Sequence, residues 1–189
     1  FTNEQHATKV SFNMKPEKSK NLLLEAGLAF LLDPSIQNVQ WLGNGPFASY
    51  PGKMTVNNYG FHSLRAGDLY FEGNRMGVDA VLCTNDKGDG ILMVCRNGNV
   101  NFEQTDRGIV LTYNAYVSGL GTKWNITRFP VYANQIDAIS GSFYLYKVDG
   151  KHWNKTIDSL FSKQILKPFS PFKSQYDNYL LKFRDIVGE

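Results

Sequence analysis

Alternation of apolar and polar positions dominates the middle of the chain. Residues 108–117 and 142–148 alternate over most of their length and are rich in β-branched and aromatic side chains, which favour extended backbone. Clusters of Gly, Asn and Asp lie between the apolar runs at residues 43–46, 86–90, 97–99 and 149–150. Turns at this spacing are typical of a β-sandwich or barrel. The pattern therefore predicts an all-β fold.

Residues 21–33 fit two elements. Leu, Ala and Glu in this stretch prefer a helix, but the run is short and Gly27 interrupts it. We predict a strand here.

The pattern changes after Gly150. Apolar residues recur at helical spacing within residues 157–165 and again within 176–187, and Pro168 and Pro171 separate the two groups. Two short amphipathic helices are therefore predicted. The predicted organisation is a β-sandwich domain at residues 1–149 and an amphipathic helical tail at residues 150–189.

Composition narrows the class of protein. With 189 residues and 42% hydrophobic residues, the chain can bury a core without disulfides or metals. The net charge of +3 is spread among interspersed acids and bases, so the sequence shows no basic stripe for nucleic acid. The longest apolar stretch, residues 22–32, is too short for a membrane helix. We expect a soluble protein with neither a nucleic-acid nor a membrane partner.

The first four residues show no initiator Met and no signal peptide. We expect any targeting signal to have been removed or to lie upstream. The compartment is undetermined, and the periplasm and the extracellular space are the candidates.

Cysteine and histidine residues point to no metal or cofactor. Cys83 and Cys95 flank the predicted turn at residues 85–90, so they could form a cross-hairpin disulfide, but cysteines in apolar runs are more often buried free thiols. No metal-ligand spacing links them to the isolated histidines, which are His6, His62 and His152. Residues 85–90 superficially resemble a calcium loop, but Lys87 occupies a ligand position and a hairpin turn is predicted instead.

Three motifs resemble the C-terminal domain of family-2 glycoside hydrolases of the β-galactosidase type. Residues 39–53 resemble the signature W-x-G-x-G-P-x-x-x-Y-P-D-R, except that Gly52 and Lys53 replace Asp-Arg. Residues 71–79 resemble the E-N-G-N-R stretch of that family, and residues 118–124 resemble its G-x-G-G-x-D-S-W loop. The motifs follow the order of the family and span about residues 20–148.

The resemblance implies a β-supersandwich shaped like galactose mutarotases. It also implies an accessory role, because the catalytic glutamates of the family lie in a separate barrel upstream of this domain. The expected partners are therefore a galactoside-type carbohydrate and that catalytic barrel. A retaining glycosidase needs two carboxylates about 5–5.5 Å apart. Glu72 and Asp79 are too far apart along one extended run to form such a pair, so no catalytic residue is predicted in this chain.

Four residues are candidates for carbohydrate binding, namely Trp124, Lys123, Glu72 and Arg75. Trp124 follows a glycine-rich loop and matches the Trp that, in the resembled family, reaches toward the active site. A core position for Trp124 is the alternative. Glu72 and Arg75 could instead form an ordinary ion pair at a strand start. For Trp41, beside a Gly-Pro turn, we predict a core position.

Two other functions stay open from sequence. One is a stand-alone sugar-binding or mutarotase-like domain, for which His62 is the histidine within the matched region. The other is a pure assembly scaffold whose amphipathic tail packs against a partner domain.

Overall fold

The computed structural model describes residues 2–4, 7–44, 59–66, 75–117, 131–149 and 153–163. These contain nine β-strands, one short 3₁₀ helix at Ala133–Gln135 and one α-helix, α1 (Trp153–Ser162). The strands are β1 (Thr2–Glu4), β2 (Ala7–Met14), β3 (Glu25–Leu31), β4 (Asn38–Asn44), β5 (Tyr59–Arg65), β6 (Arg75–Thr84), β7 (Gly90–Thr105), β8 (Gly108–Val117) and β9 (Ile139–Val148).

All strand pairs are antiparallel, and they form one curled sheet. The main path runs β1-β2-β9-β7-β6-β4-β5, while β8 pairs with β7 and β3 pairs with β8. The prediction of an all-β sandwich is confirmed. The strands predicted from alternation are β8 and β9, and the ambiguous residues 21–33 contain β3.

Strand β7 changes partner halfway along its length. Residues Gly90–Val94 pair with β9, whereas Asn99–Thr105 pair with β8. Between these halves the register against β6 shifts, because Val78 pairs with Gly98 while Ala80 pairs with Val94. Such a bulge bends a strand and increases its twist. Beyond the bulge β8 replaces β9 as the partner on this edge of β7, and β3 follows β8.

The prediction of a turn at residues 97–99 is therefore wrong, because this cluster lies inside β7. Position 98 requires glycine because there is no space for a side chain. A Cβ on Gly98 would lie 2.9 Å from the Cβ of Cys95 and 3.1 Å from the ring of Tyr113. The polar, glycine-containing cluster marks a bulge in a strand, and bulges use the same residue types as turns.

The sheet is apolar on both faces. The face enclosed by the curl carries one buried cluster, to which residues of β8 contribute together with Val10, Trp41, Val81, Phe102 and Phe143. Leu28 and Phe30 of β3 pack against this cluster. The rings of Phe30 and Phe143 meet edge to face at 5.6 Å, which joins β3 to β9 across the interior.

Helix α1 covers the opposite face of the sheet. Its Leu160 is buried in a second cluster with Leu42, Leu82, Leu92 and Val148. The first predicted amphipathic helix is confirmed, and the second, within residues 176–187, lies outside the described residues. The domain boundary at residue 149 remains a prediction.

Residues 85–90 form the predicted hairpin turn between β6 and β7. The Asn85 side-chain oxygen accepts hydrogen bonds from the backbone N–H groups of Lys87 and Asp89, both at 2.9 Å. Gly88 has a φ of 83°, which glycine adopts without strain. The Asp86 carboxylate pairs with Arg65 at 3.0 Å. The polar groups of this turn therefore bond to its own backbone and to a side chain of β5.

Both cysteines are free and buried, as the apolar context of Cys83 indicated. Cys83 faces Ile91 across the hairpin, while Cys95 lies near the bulge and its thiol donates a hydrogen bond to the Val78 carbonyl at 3.1 Å. Burial raises the pKa of both thiols from 9.0 to about 12. The thiols therefore stay protonated and unreactive at neutral pH.

We expect the free energy of unfolding to fall as pH rises above 9. The unfolded chain releases thiol protons near pH 9, whereas the folded chain retains them up to about pH 12. Between these two pH values ionisation favours the unfolded chain, so the free energy of unfolding falls. At pH 10 the loss is roughly 1 kcal/mol per thiol. Urea unfolding under reducing conditions at pH 8 and pH 10 measures it. The Cys83→Val variant should show a pH difference smaller by about that amount, and an unchanged difference would contradict the prediction.

Candidate functional site

Of the four predicted carbohydrate-binding residues, Arg75 alone lies among the described residues. Trp124, Lys123 and Glu72 lie outside the described residues. Arg75 is the first residue of β6, and its backbone pairs with Val100 of β7. The described strands nevertheless fix where the chain enters and leaves the segment that carries Trp124.

Segment 118–130, which carries Trp124, is anchored at both ends to the same short stretch of chain. At its start, Val117 pairs with Glu25 in the β8–β3 ladder. At its end, the Val131 carbonyl accepts a hydrogen bond from the Leu23 backbone N–H at 2.9 Å, and Tyr132 forms a bridge with Leu22. Residues 22–25 thus hold both ends of the segment.

The chain that follows Val131 is fixed by further hydrogen bonds. The backbone N–H of Ala133 donates to the Asn21 carbonyl at 2.9 Å, and that of Asn134 donates to the Ser19 carbonyl at 3.0 Å. The Tyr132 N–H donates to the side-chain oxygen of Gln135 at 2.8 Å, which satisfies a donor at the start of the 3₁₀ helix.

Lys18 closes the other end of this 3₁₀ helix. Its ammonium donates to the carbonyl of Ile136 at 3.1 Å and to the Asp137 carboxylate at 2.8 Å. The hydrogen bond from Lys18, aided by its positive charge, holds the pKa of the Asp137 carboxyl below its ordinary value. The pair is exposed, so it contributes little to stability, but it adds a side-chain link between the two chain stretches at the end of segment 118–130.

Arg75 and the start of segment 118–130 leave the sheet at separate points. Val100, the partner of Arg75, pairs with Tyr113 of β8, and Val117 lies further along the same strand. The separation is two strand spacings, about 10 Å, across the sheet and about 13 Å along β8. The strand register therefore places Arg75 apart from the start of the segment that carries Trp124.

Trp41 is a core residue, as predicted. It is 1% exposed, and its ring lies 5.3 Å from the ring of Phe102. His62 of the adjacent strand β5 stacks on the same indole at 5.3 Å with an interplanar angle of 29°. One face of the His62 ring is thus occupied by a core side chain, which favours a packing role for the histidine considered under the mutarotase alternative.

Two buried amides were not anticipated from sequence. The side-chain oxygens of Asn99 and Asn101 on β7 are buried, and neither has a hydrogen-bond partner among the described residues. The sequence signal for them is the alternation of Asn with Gly, Val and Phe from Asn97 to Phe102, which is a strand pattern.

The part of the chain that the structure describes contains no group of three or more His, Cys, Asp or Glu side chains suited to a metal ion. Within the same residues, no helix has the length and apolar character needed to cross a bilayer.

A family model described as the beta galactosidase small chain matches residues 1–155. The chain belongs to the β-galactosidase small-chain family. The match includes all nine strands of the sheet and the beginning of α1. It confirms the resemblance carried by the three sequence motifs.

Membership in the small-chain family has a consequence for partners. A β-galactosidase small chain works in association with a catalytic domain or subunit, so this sheet is an associated domain of a β-galactosidase. Comparison with curated proteins found no match to this chain.

Proposed function

We propose that this β-galactosidase small-chain domain completes the sugar site of a catalytic barrel, with Trp124 providing an apolar platform for the galactoside. The ring of a Trp can stack against the C–H face of a sugar. Lys123 is the adjacent candidate for a polar contact, and Glu72 and Arg75 are candidates at the second motif. The glycosidic bond itself is cleaved by the carboxylate pair of the barrel.

The observation that carries this proposal is the anchoring of segment 118–130 at both ends. Glu25 holds its start, and Leu22 and Leu23 hold its end. A segment held at both ends loses less conformational entropy when it binds than a free chain would. Such anchoring suits a segment that presents one side chain to a ligand.

Replacing Trp124 with alanine should lower kcat/KM for a nitrophenyl β-galactoside by about tenfold in the protein that includes its catalytic barrel, because the stacking contact with the sugar is lost. Trp124→Phe keeps an aromatic face and should retain most of the activity. Steady-state kinetics of the three proteins measure the effect.

Thermal unfolding provides the control for this experiment. If Trp124 is a platform, the melting temperature of Trp124→Ala should stay close to that of the parent, since substitutions away from the core change stability little. A fall of many degrees would place the ring in the core, and unchanged kinetics would reduce the function of the domain to scaffolding.

A further inference from the structure

Three large apolar side chains are exposed beside the ends of segment 118–130. Leu22 is 50% exposed, Leu24 is 54% exposed and Tyr132 is 40% exposed. Among the described residues, the fourth exposed large apolar side chain is Leu31, the last residue of β3. Three of the four thus lie where the chain enters or leaves the segment that carries Trp124.

Leu22 and Tyr132 lie side by side on one surface. Their bridge is antiparallel, and its hydrogen bonds join the flanking residues, from the Leu23 N–H to the Val131 carbonyl and from the Ala133 N–H to the Asn21 carbonyl. In such a non-hydrogen-bonded pair the Cα atoms are closest and the two side chains project from the same face. We name Leu22, Leu24 and Tyr132 the ladder patch.

The ladder patch has the character of an interface. Its apolar side chains are bordered by the exposed polar residues Lys20, Asn21 and Glu25, which gives an apolar centre with a polar rim. The backbone beneath it is fixed by the hydrogen bonds to residues 19–23, so little ordering would be required on binding. Tyrosine is also among the residues that contribute most to interface affinity.

The position of the ladder patch relative to segment 118–130 indicates which partner covers it. Fully extended, residues 118–130 would span about 40 Å. Because both ends of the segment are held by residues 22–25, no part of it can lie further than about 20 Å from them. If Trp124 contacts a sugar bound in the barrel, the ladder patch must lie within about that distance of the sugar. It then lies close to the catalytic barrel that binds the sugar.

We propose that Leu22, Leu24 and Tyr132 form the surface through which this small-chain domain docks on the catalytic barrel of the β-galactosidase. This inference rests on the proposed function, because the proximity of the barrel follows from the contact between Trp124 and the sugar. Docking here would fix both ends of segment 118–130 against the barrel at once.

The test uses the protein with its catalytic barrel present. A photoreactive benzoylphenylalanine in place of Tyr132 should cross-link to peptides of the barrel on irradiation, as identified by mass spectrometry. The same group in place of Leu31, which is 55% exposed, is the matched control and should give no barrel cross-link. Cross-links from position 132 to peptides of this domain alone would overturn the proposal.

A second copy of this chain is the competing occupant. Cross-linking in a mixture of isotopically labelled and unlabelled protein distinguishes it, because contacts between copies give peptides of mixed label. Mixed-label products within this domain, without barrel peptides, would overturn the proposal in favour of self-association.

Removing the apolar groups should weaken docking without unfolding the domain. Leu22→Ser combined with Leu24→Ser should reduce the yield of the barrel cross-link from position 132 by about tenfold. The melting temperature should stay close to that of the parent, because both leucines are exposed. An unchanged yield in the double variant would contradict a docking role for the leucines.

The Trp124→Ala variant separates this proposal from the proposed function. A barrel cross-link together with unchanged Trp124→Ala kinetics would leave docking in place and remove the sugar contact. Lower kcat/KM for Trp124→Ala without a barrel cross-link would leave the sugar contact in place and remove docking through the ladder patch.

Discussion

Replacing Trp41 with alanine is expected to lower the free energy of unfolding by about 3–5 kcal/mol. Trp41 is one of the largest fully buried side chains, and it contacts Phe102 of β7 and His62 of β5 through its ring. Its strand β4 is held between β5 and β6, so the backbone can move little to fill the space left by the indole. Urea unfolding followed by circular dichroism measures the loss.

A matched control is Tyr132→Ala, which removes an aromatic ring from an exposed position. Its effect on stability should be within about 0.5 kcal/mol, since a surface substitution leaves no cavity. If Trp41→Ala cost no more than Tyr132→Ala, the core position of Trp41 would be contradicted.

Adding one methyl group at Gly27 is expected to destabilise the domain by about 3 kcal/mol. Gly27 lies where the β3–β8 register shifts, so Ala26 pairs with Tyr116 while Gly27 pairs with Asn114. A Cβ at this position would overlap the carbonyl oxygen of Tyr113 and lie 2.7 Å from the Cα of Asn114. These contacts are with backbone atoms, so the β8 ladder must move to accept Gly27→Ala.

Gly141→Ala is the comparison for Gly27→Ala. A Cβ at Gly141 of β9 would meet the rings of Phe12 and Tyr113, which can rotate away more easily than a strand backbone can. We therefore expect a smaller loss from Gly141→Ala than from Gly27→Ala in the same urea experiment. The reverse order would show that the β3–β8 bulge adapts to a side chain.

Gly27→Ala should also affect the candidate functional site, because it disturbs the strand that holds the start of segment 118–130. Glu25, the first residue of β3, holds the start of segment 118–130 by pairing with Val117, so a shift of β3 relative to β8 would move Glu25 away from Val117. A stability loss in Gly27→Ala should therefore be accompanied by a lower kcat/KM in the protein with its barrel. Gly141 lies on β9, which forms no part of this ladder, so Gly141→Ala should change kcat/KM less.

The candidate site was predictable from sequence only in part. The motif at residues 118–124 singled out Trp124 and Lys123, because glycines before a Trp form a recognisable pattern. The ladder patch was not predicted, since Leu22 and Leu24 belong to an apolar run that would ordinarily be assigned to the core. The patch is assembled by the pairing of Leu22 with Tyr132, which is distant in sequence.

The sequence by itself determined which parts of this protein are extended and which family it belongs to. Alternation defined β8 and β9 because a strand with one face in the core must change polarity at every residue, and that constraint is local. Only the tertiary structure decided that β7 continues through residues 97–99 and changes partner there, and that residues 22–25 hold both ends of segment 118–130. Those features arise from pairing between strands far apart in the chain, where packing and register outweigh local turn preference.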